Sequence, residues 1–259
     1  MLARVLGLRQ RPAGRFVHPK ARDLLDHEGE HDIGLENTAT NAASYMAWLA
    51  KLCDRHLGRR VLEVGAGSGA ITAGYERGRE VVAADASPIA VAGLRERFAD
   101  RPNVTVVDAD LRTYQPDERF DSVLMVNVLE HILDDVEALR GLSRLLVRFG
   151  NVVIYVPALN GLYGEWDHMG GHYRRYARWR LREVFEEAGL EPLELRYVNS
   201  LAIVPWIVFQ GAGDLNDEAR RGRLLQAWDR VGVPLNRAID AHLRPPVGLN
   251  LFGVARRRD

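Results

Sequence analysis

The chain has 259 residues, of which 47% are hydrophobic and 27% are charged. This length predicts a single large domain with a sizeable core, or a domain carrying a substantial insertion. The formal net charge of +0 argues against a general nucleic-acid binder. The single cysteine, Cys53, excludes an internal disulfide framework and favours a reducing compartment. Without a signal segment or an apolar run of the ~18 residues that span a bilayer, we expect a cytoplasmic protein with no stable membrane insertion.

The chain begins with a polar lead-in, residues 1–39, for which we expect irregular structure. A helix is predicted over residues 40–57 because apolar residues recur there at helical spacing. Short apolar strands then alternate with helices, which is typical of a mostly parallel sheet covered on both faces. The strands are predicted at 61–64, 81–84, 104–107, 122–126 and 151–156, and the helices at 68–76, 88–99 and 136–147.

The character of the chain changes after Pro157. Residues 158–176 form a long connection rich in Gly, Tyr, His and Trp, and a connection of this length usually has a functional role. Residues 201–243 are expected to be helical with breaks at prolines and glycines. The remaining elements are predicted as a helix at 180–188 and strands at 192–198 and 249–255.

The most informative segment is V-L-E-V-G-A-G-S-G at residues 61–69, where a buried strand leads into a glycine-rich turn. Such a turn brings backbone N–H groups and a helix N-terminus close to a ligand. Residues 65–70 also satisfy the dinucleotide fingerprint G-x-G-x-x-A, and Asp85 follows Gly65 at the spacing of a ribose-binding acid. The glycines and Asp85 alone therefore do not separate NAD from S-adenosylmethionine (SAM).

Glu63 favours SAM over NAD. Beside a pyrophosphate its carboxylate would face like charge, whereas the ammonium group of SAM would attract it. The alternative is that Glu63 merely hydrogen-bonds the turn. After the third strand, Asp110 could accept from an adenine amino group while Leu111 packs on the ring. Carboxylates after three successive strands would line the carboxyl edge of the sheet, where ligands bind in open sheets.

Taken in order, these motifs resemble the class I SAM-dependent methyltransferases. The similarity extends from about residue 45 to 198 and includes N-V-L-E-H at 127–131, which looks like a signature of the small-molecule branch with its ubiquinone-type O-methyltransferases. A narrower similarity at 162–176 and 245–251 is to a subgroup without one assigned acceptor. One departure is V-R-F-G at 147–150, where many relatives have K-P-G-G. The other matching residues are E-V-G-A-G-S-G at 63–69, Asp85, Asp110 and F-D-S-V at 120–123.

The resemblance implies a Rossmann-like α/β fold with seven mostly parallel strands, the last one antiparallel between the fifth and sixth. It also implies SAM as the cofactor and a methyltransferase domain at 40–259, with 157–177 and 200–245 as insertions on the acceptor side. For Tyr45, a core aromatic role is an equal alternative to cofactor binding. The implied cofactor-binding residues are Tyr45, Glu63, Gly65, Ala66, Gly67, Asp85, Ala86, Asp110, Leu111, Asn127 and Val128.

Methyl transfer from a sulfonium depends largely on positioning and desolvation, but a hydroxyl acceptor must also lose a proton, which suits histidine near neutral pH. His131 is the leading candidate for this base, with a structural role for its ring as the near-equal alternative. His168 and His172 are the other candidates. Because Gly170 and Gly171 separate them, a helical metal pair is not expected, and no metal is predicted.

The acceptor side is the least defined part of the prediction. Tyr163, Trp166 and Tyr173 would shape an acceptor pocket or pack within the loop. Arg174 and Arg175 could receive an anionic acceptor, although such a basic run is usually a solvated helix face.

The sequence thus predicts methyl transfer to a small-molecule, sugar or glycolipid-type acceptor, with oxygen favoured and a histidine base. Transfer to carbon, nitrogen or carboxyl by positioning alone is the alternative. An NAD(P)-dependent oxidoreductase is less favoured, because the chain has no Tyr-x-x-x-Lys pair. The apolar run at 201–209 could be core, an acceptor-pocket wall, a membrane contact or the face of a homodimer.

Overall fold

A computed structural model describes residues 16–24, 42–108, 118–211, 223 and 226–258, without the side chains of 208–211. The described strands form a seven-stranded sheet with the order β3-β2-β1-β4-β5-β7-β6. Strand β7 is antiparallel to β5 and β6, whereas β1 to β5 pair in parallel. The predicted fold class is therefore confirmed. The strands are β1 (Arg60–Val64), β2 (Glu80–Asp85), β3 (Val104–Asp108), β4 (Phe120–Val126), β5 (Leu146–Pro157), β6 (Leu190–Val198) and β7 (Asn250–Arg257).

Two buried apolar clusters cover the two faces of the sheet. In β1, Leu62 and Val64 belong to one cluster and Val61 to the other, because successive side chains of a strand point to opposite faces. Glu63 shares the face of Val61. The helices are α1 (Ala43–Asp54), α2 (Thr72–Tyr75), α3 (Pro88–Arg97), α4 (Asp135–Arg144), α5 (Glu165–Met169), α6 (Arg178–Glu187), α7 (Ile203–Gly211) and α8 (Val233–Leu243).

Several element boundaries differ from the sequence predictions. The helix predicted at 68–76 is reduced to Thr72–Tyr75. Strand β5 begins at Leu146, so the end of the helix predicted at 136–147 is wrong. A register shift between β4 and β5 accompanies the left-handed backbone of Phe149, and this irregularity lets the strand start early. The long connection after Pro157 is also partly ordered, with a 3₁₀ turn at Asn160–Leu162 followed by α5.

Two segments outside the sheet are held by specific contacts with other elements of the fold. Ala21 and Leu24, beside the 3₁₀ turn at Pro19–Ala21, pack against Tyr163 and Tyr173. The rest of the predicted lead-in lies outside the described residues. A π-helical turn at Trp228–Gly232 precedes α8, and its Asp229 accepts the backbone N–H groups of Ser44 and Tyr45 at the start of α1.

None of the helices in the described ranges has both the length and the apolar character that a membrane crossing requires.

Candidate active site

The glycine turn after β1 touches the loop that follows β4. Gly65 and Gly67 have φ values of +67° and +53°, a region that L side chains rarely adopt. A Cβ atom on Gly65 would lie 2.4 Å from Val128 Cγ2. The N–H of Gly65 donates to Ala84 O at 2.8 Å, which also ties the turn to β2. Glycine is therefore required here for both conformation and space.

Glu63 lies beneath this turn and is 2% exposed. Its Oε2 accepts from Thr72 Oγ1 and from Tyr75 Oη, each at 2.6 Å. Burial raises the pKa of Glu63 to about 7, the two hydrogen bonds oppose this rise, and the charge of Asp85 adds to it. The hydrogen bonds expected of a structural Glu63 are thus present. A cation bound at the turn would favour the ionised carboxylate.

Asp85 connects the end of β2 with the turn. Its Oδ2 accepts from the N–H of Gly67 at 2.8 Å, and its Oδ1 accepts from the N–H of Ser87 at 2.9 Å. The neighbouring Ala86 is exposed. The turn, Asp85 and Val128 thus meet at the carboxyl edge, where the sequence predicts the cofactor. Asp110 and Leu111 lie outside the described residues, and the ribose and adenine assignments stay predictions.

Asn127 and Tyr45 border the same edge. Asn127 is exposed, has a φ of +52° and donates its N–H to Tyr155 O at 2.8 Å. The hydroxyl of Tyr45 lies 2.6 Å from that of Tyr155, and its ring is tilted against Trp48 with 5.6 Å between ring centroids. These contacts support the core alternative for Tyr45, while its cofactor contact stays a prediction.

A cluster of three titratable side chains follows β4 and includes His131. The ring centroids of His131 and His172 are 4.6 Å apart in an edge-to-face arrangement. One donor atom from each histidine and one oxygen of Glu130 all lie within 4.8 Å of one another. This acid–histidine cluster, Glu130, His131 and His172, could exchange a proton or hold a cation.

Glu130 is the buried member of the acid–histidine cluster. It is 0% exposed, and neither carboxyl oxygen has a hydrogen-bond partner within the described structure. Burial raises its pKa to about 7, while the charge of His172 lowers it. A carboxyl group that titrates near neutral pH can take or give a proton under ordinary conditions. Sequence reasoning missed Glu130, although it stands beside His131 in the N-V-L-E-H motif.

Asp167 orients His172 from behind. Its Oδ1 lies 2.9 Å from His172 Nδ1 and accepts from Arg175 Nε at 2.8 Å, and its Oδ2 accepts from the N–H of Gly164 at 2.9 Å. Burial alone would raise the pKa of Asp167, but the bond from His172 and the charge of Arg175 hold it below its ordinary value of 3.8. The ionised carboxylate therefore leaves Nε2 as the available nitrogen of His172. Nothing in the sequence pattern singled out this function of Asp167.

The other predicted acceptor-side residues have mainly internal contacts. His168 Nε2 pairs with Asp23 at 2.8 Å. None of the described contacts of His168 is with Glu130. Tyr163 is buried and donates its hydroxyl to His172 O at 2.7 Å. Tyr173 is buried and donates its N–H to Glu130 O at 2.9 Å. Trp166 is half-buried in α5. The two tyrosines thus brace the acid–histidine cluster, and their contact with an acceptor stays a prediction.

Arg174 and Arg175 are not on a solvated face. Arg174 is 0% exposed, its Nη1 lies 2.9 Å from Asp135 Oδ2, and Arg175 is bound by Asp167 as described. Tyr176 also donates its hydroxyl to Asp135 at 3.0 Å. Both arginines are thus held in internal ion pairs, and their role in anion binding stays a prediction.

The comparison with protein families agrees with this geometry. The family model described as "Methyltransferase domain" matches residues 62–154, which contain the glycine turn, Asp85 and the start of the acid–histidine cluster. A Mycobacterium tuberculosis protein named "Probable S-adenosylmethionine-dependent methyltransferase" is 33% identical over 153 residues, which cover 56% of this chain and 52% of that protein. The chain spans about half the length of the curated relatives it matches.

Solved structures show the same fold. Coclaurine N-methyltransferase, bound to N-methylheliamine and S-adenosylhomocysteine, superposes with a TM-score of 0.61 at 16% identity, over 99% of this chain and 91% of that chain. The 1,6-didemethyltoxoflavin-N1-methyltransferase of Burkholderia thailandensis gives 0.58 at 23% identity, over 97% and 94%. The sheet order agrees with the fold of these methyltransferases, and the glycine turn lies at the carboxyl edge of that sheet. Residues 62–154 of the chain are thus similar to the methyltransferase family, and the whole described sheet has the fold of these solved methyltransferases.

Proposed function

We propose that this protein transfers a methyl group from SAM to a hydroxyl group of a small-molecule or sugar-type acceptor. The contact between Gly65 and Val128 carries the proposal, because it joins the glycine turn to the loop that bears Glu130 and His131. The cofactor turn and the proton-accepting groups are thus neighbours at one edge of the sheet. The positive φ values of Gly65 and Gly67 suit a turn whose backbone approaches a ligand closely.

Each residue of the site has a separate task. Bound SAM would supply an electrophilic methyl group on a sulfonium. Glu63 and the turn would hold its amino-acid part, and Asp85 its ribose. His131 would accept the acceptor's hydroxyl proton, while Asp167 keeps His172 in the tautomer that leaves Nε2 available. Glu130, with its pKa near 7, would then share that proton with the histidines.

Substitution of the proposed base, His131, tests the proposal. We expect His131→Asn to bind SAM within about twofold of wild type but to turn over about 100-fold more slowly, the usual scale for a lost general base. Labelled SAM incubated with fractionated extracts supplies the acceptor assay. The matched control is His242→Asn, since His242 is exposed on α8 and bonds only Ala238 O in its described contacts. Unchanged turnover in His131→Asn would assign the ring a structural role.

Cofactor binding needs a test of its own. Calorimetry with SAM, S-adenosylhomocysteine and NAD should show saturable binding of the first two ligands. Binding of NAD without SAM would reject methyl transfer and favour the oxidoreductase alternative.

Transfer to nitrogen is the second candidate, favoured by one observation. The carboxyl group of Glu130 is buried without a hydrogen-bond partner in the described structure. An amine acceptor could donate to this carboxylate and lose a proton to it, which would free the nitrogen lone pair for the methyl group. Competition between amine and hydroxyl acceptors in the labelled-SAM assay separates the two. Label transferred only to amines, with Glu130→Gln losing that preference, would replace the hydroxyl proposal.

A further inference from the structure

A cavity lies at the opposite edge of the sheet from the glycine turn. It is an open cleft of about 620 Å³ around the amino ends of β4 and β5 and the loop before β1. Arg55, Arg148 and Arg256 all line it. We call it the amino-edge pocket. Because parallel strands separate their two ends by their full length, this pocket shares no residue with the proposed methyl-transfer site.

The carboxylates in the lining already have partners. Asp121 Oδ2 accepts from the N–H of Arg60 at 2.8 Å. Glu194 Oε1 accepts from Arg196 Nε at 2.6 Å. The lining thus holds three arginines against two carboxylates, and one of the two, Glu194, is already paired with Arg196. An excess of guanidinium groups around a concave surface favours an anionic ligand.

Two hydrogen-bonding atoms without partners belong to residues that line the pocket. Asn151 on β5 and Arg256 on β7 are direct cross-strand partners, so their side chains lie on the same face. Asn151 Nδ2 donates to His56 O at 3.1 Å, which sets the orientation of the amide. Arg256 Nε and Asn151 Oδ1 are both buried and have no partner within the described structure. A ligand that both accepts from Arg256 and donates to Asn151 would satisfy them.

Phe149 forms a strained and exposed rim to the same pocket. Its φ is +64° and its side chain is 55% exposed, although a bulky residue rarely adopts this backbone region. The guanidinium of Arg148 lies over its ring, 4.5 Å from the centroid. A Cβ atom on the next residue, Gly150, would come within 3.0 Å of Asp121 O, so the tight turn is held from both sides. Such an outlier supports a functional interpretation of the rim.

We propose that the amino-edge pocket binds phosphate, free or as the phosphate group of a small metabolite. The arginine fork matches the phosphate oxygens, and a phosphate that keeps a proton near neutral pH also offers the donor that Asn151 Oδ1 lacks. Sulfate has the same shape and no proton at that pH. The pocket thus distinguishes phosphate from sulfate by one hydrogen bond.

Calorimetric titration of the whole protein with inorganic phosphate at pH 6.5 and low salt tests this inference. We expect saturable one-to-one binding, with sulfate about tenfold weaker because it cannot donate to Asn151. Arg256→Met, which keeps the aliphatic stem, should weaken phosphate binding at least about tenfold. The matched control is Arg182→Met, since Arg182 is an exposed arginine on α6. Glucose 6-phosphate distinguishes an esterified from a free phosphate, as the tighter ligand identifies the source.

The opposite outcomes are equally specific. Non-saturable phosphate binding, or equal affinity in wild type and Arg256→Met, would overturn the site. Equal affinity for sulfate would overturn the assignment to phosphate. If Arg256→Met fails to fold, as judged by circular dichroism, Arg148→Met replaces it, with the same expected loss. SAM affinity measured in the same samples is expected to stay unchanged, so failure of this pocket leaves the methyl-transfer proposal intact.

Discussion

The carboxylate of Asp167 holds His172 Nδ1 at 2.9 Å and Arg175 Nε at 2.8 Å through the same oxygen. One buried acid thus fixes a histidine of the acid–histidine cluster and neutralises a buried guanidinium. The loop after β5 is ordered around this acid, because Gly164 and His172 are tied to it from opposite ends of α5. Stability and proton transfer should therefore change together when Asp167 is altered.

Asp167→Asn should lower the free energy of unfolding by about 3–5 kcal/mol, since it leaves the guanidinium of Arg175 buried without a charge partner. Urea denaturation at pH 7 measures the change. Glu186→Gln is the control, because the pair of Glu186 with Arg182 is exposed and should change stability by less than about 0.5 kcal/mol. Equal effects of the two substitutions would contradict the assigned role.

The same carboxylate predicts an acid limit of stability. Because the pKa of Asp167 is lower in the folded than in the unfolded chain, its contribution is complete above the ordinary value of 3.8 and is lost as pH falls through the folded value. Wild type should therefore lose stability more steeply than Asp167→Asn below about pH 4. Parallel curves for the two proteins in that range would show that Asp167 does not set the limit.

Glu63→Gln should have opposite effects on stability and on SAM affinity. Since the folded pKa of Glu63 is about 7 against an ordinary 4.5, the folded wild type binds the extra proton, and its stability falls by about 3 kcal/mol as pH rises through that window. The amide avoids this loss and should be more stable at pH 8. It should bind SAM about tenfold more weakly, because the carboxylate charge is gone. Thermal denaturation and calorimetry measure the two effects.

The control for Glu63→Gln is Glu80→Gln, an exposed carboxylate at the start of β2. It should leave the pH profile and SAM affinity unchanged. Loss of stability in Glu63→Gln at pH 8 would show that the hydrogen bonds from Thr72 and Tyr75 outweigh burial of the charge.

Gly65→Ala should lose SAM binding and about 1–3 kcal/mol of stability, because its Cβ would meet Val128 Cγ2 and its φ is left-handed. Adding Val128→Ala should recover only the part due to the contact. Gly93→Ala is the control, since no atom lies within 4 Å of its added Cβ on α3, and it should gain about 0.5–1 kcal/mol. Full SAM affinity in Gly65→Ala would place the cofactor elsewhere.

Arg174→Met should destabilise the protein by about 3–5 kcal/mol, because it leaves the buried carboxylate of Asp135 without one of its charge partners. SAM affinity should stay unchanged. Chemical denaturation and calorimetry check both parts. A stable variant whose only defect is a raised KM for an anionic acceptor would instead confirm the anion-binding role.

The sheet could be predicted from the sequence because the strand from Val61 to Val64 is apolar except for Glu63 and ends at glycine, which is a local pattern. The start of β5 could not be predicted, because Leu145, Leu146 and Val147 continue the apolar spacing of α4. Only the pairing with β4 makes this segment a strand. The burial of Arg174 could not be predicted from the sequence either. Its partner, Asp135, stands 39 positions earlier on another element, and no local pattern pairs them.

The site residues divide in the same way between those that local motifs predict and those that only tertiary packing brings together. Gly65, Asp85 and His131 stand in contiguous motifs, so their positions could be predicted. The acid–histidine cluster also needs His172, which only the folded loop brings to Glu130 and His131. Asp167 acts through its contacts with His172 and Arg175, and these contacts depend on tertiary packing.

The position of β7 has a consequence for how the protein forms during synthesis. Among the described strands, β6 pairs only with β7, which lies between it and β5. A nascent chain released through β6 therefore has no adjacent partner for that strand until residues 250–257 leave the ribosome. The first five strands can pair earlier, so the nascent chain would carry an incomplete sheet in which one edge of β5 is unpaired. Premature termination in that interval should yield aggregation-prone fragments.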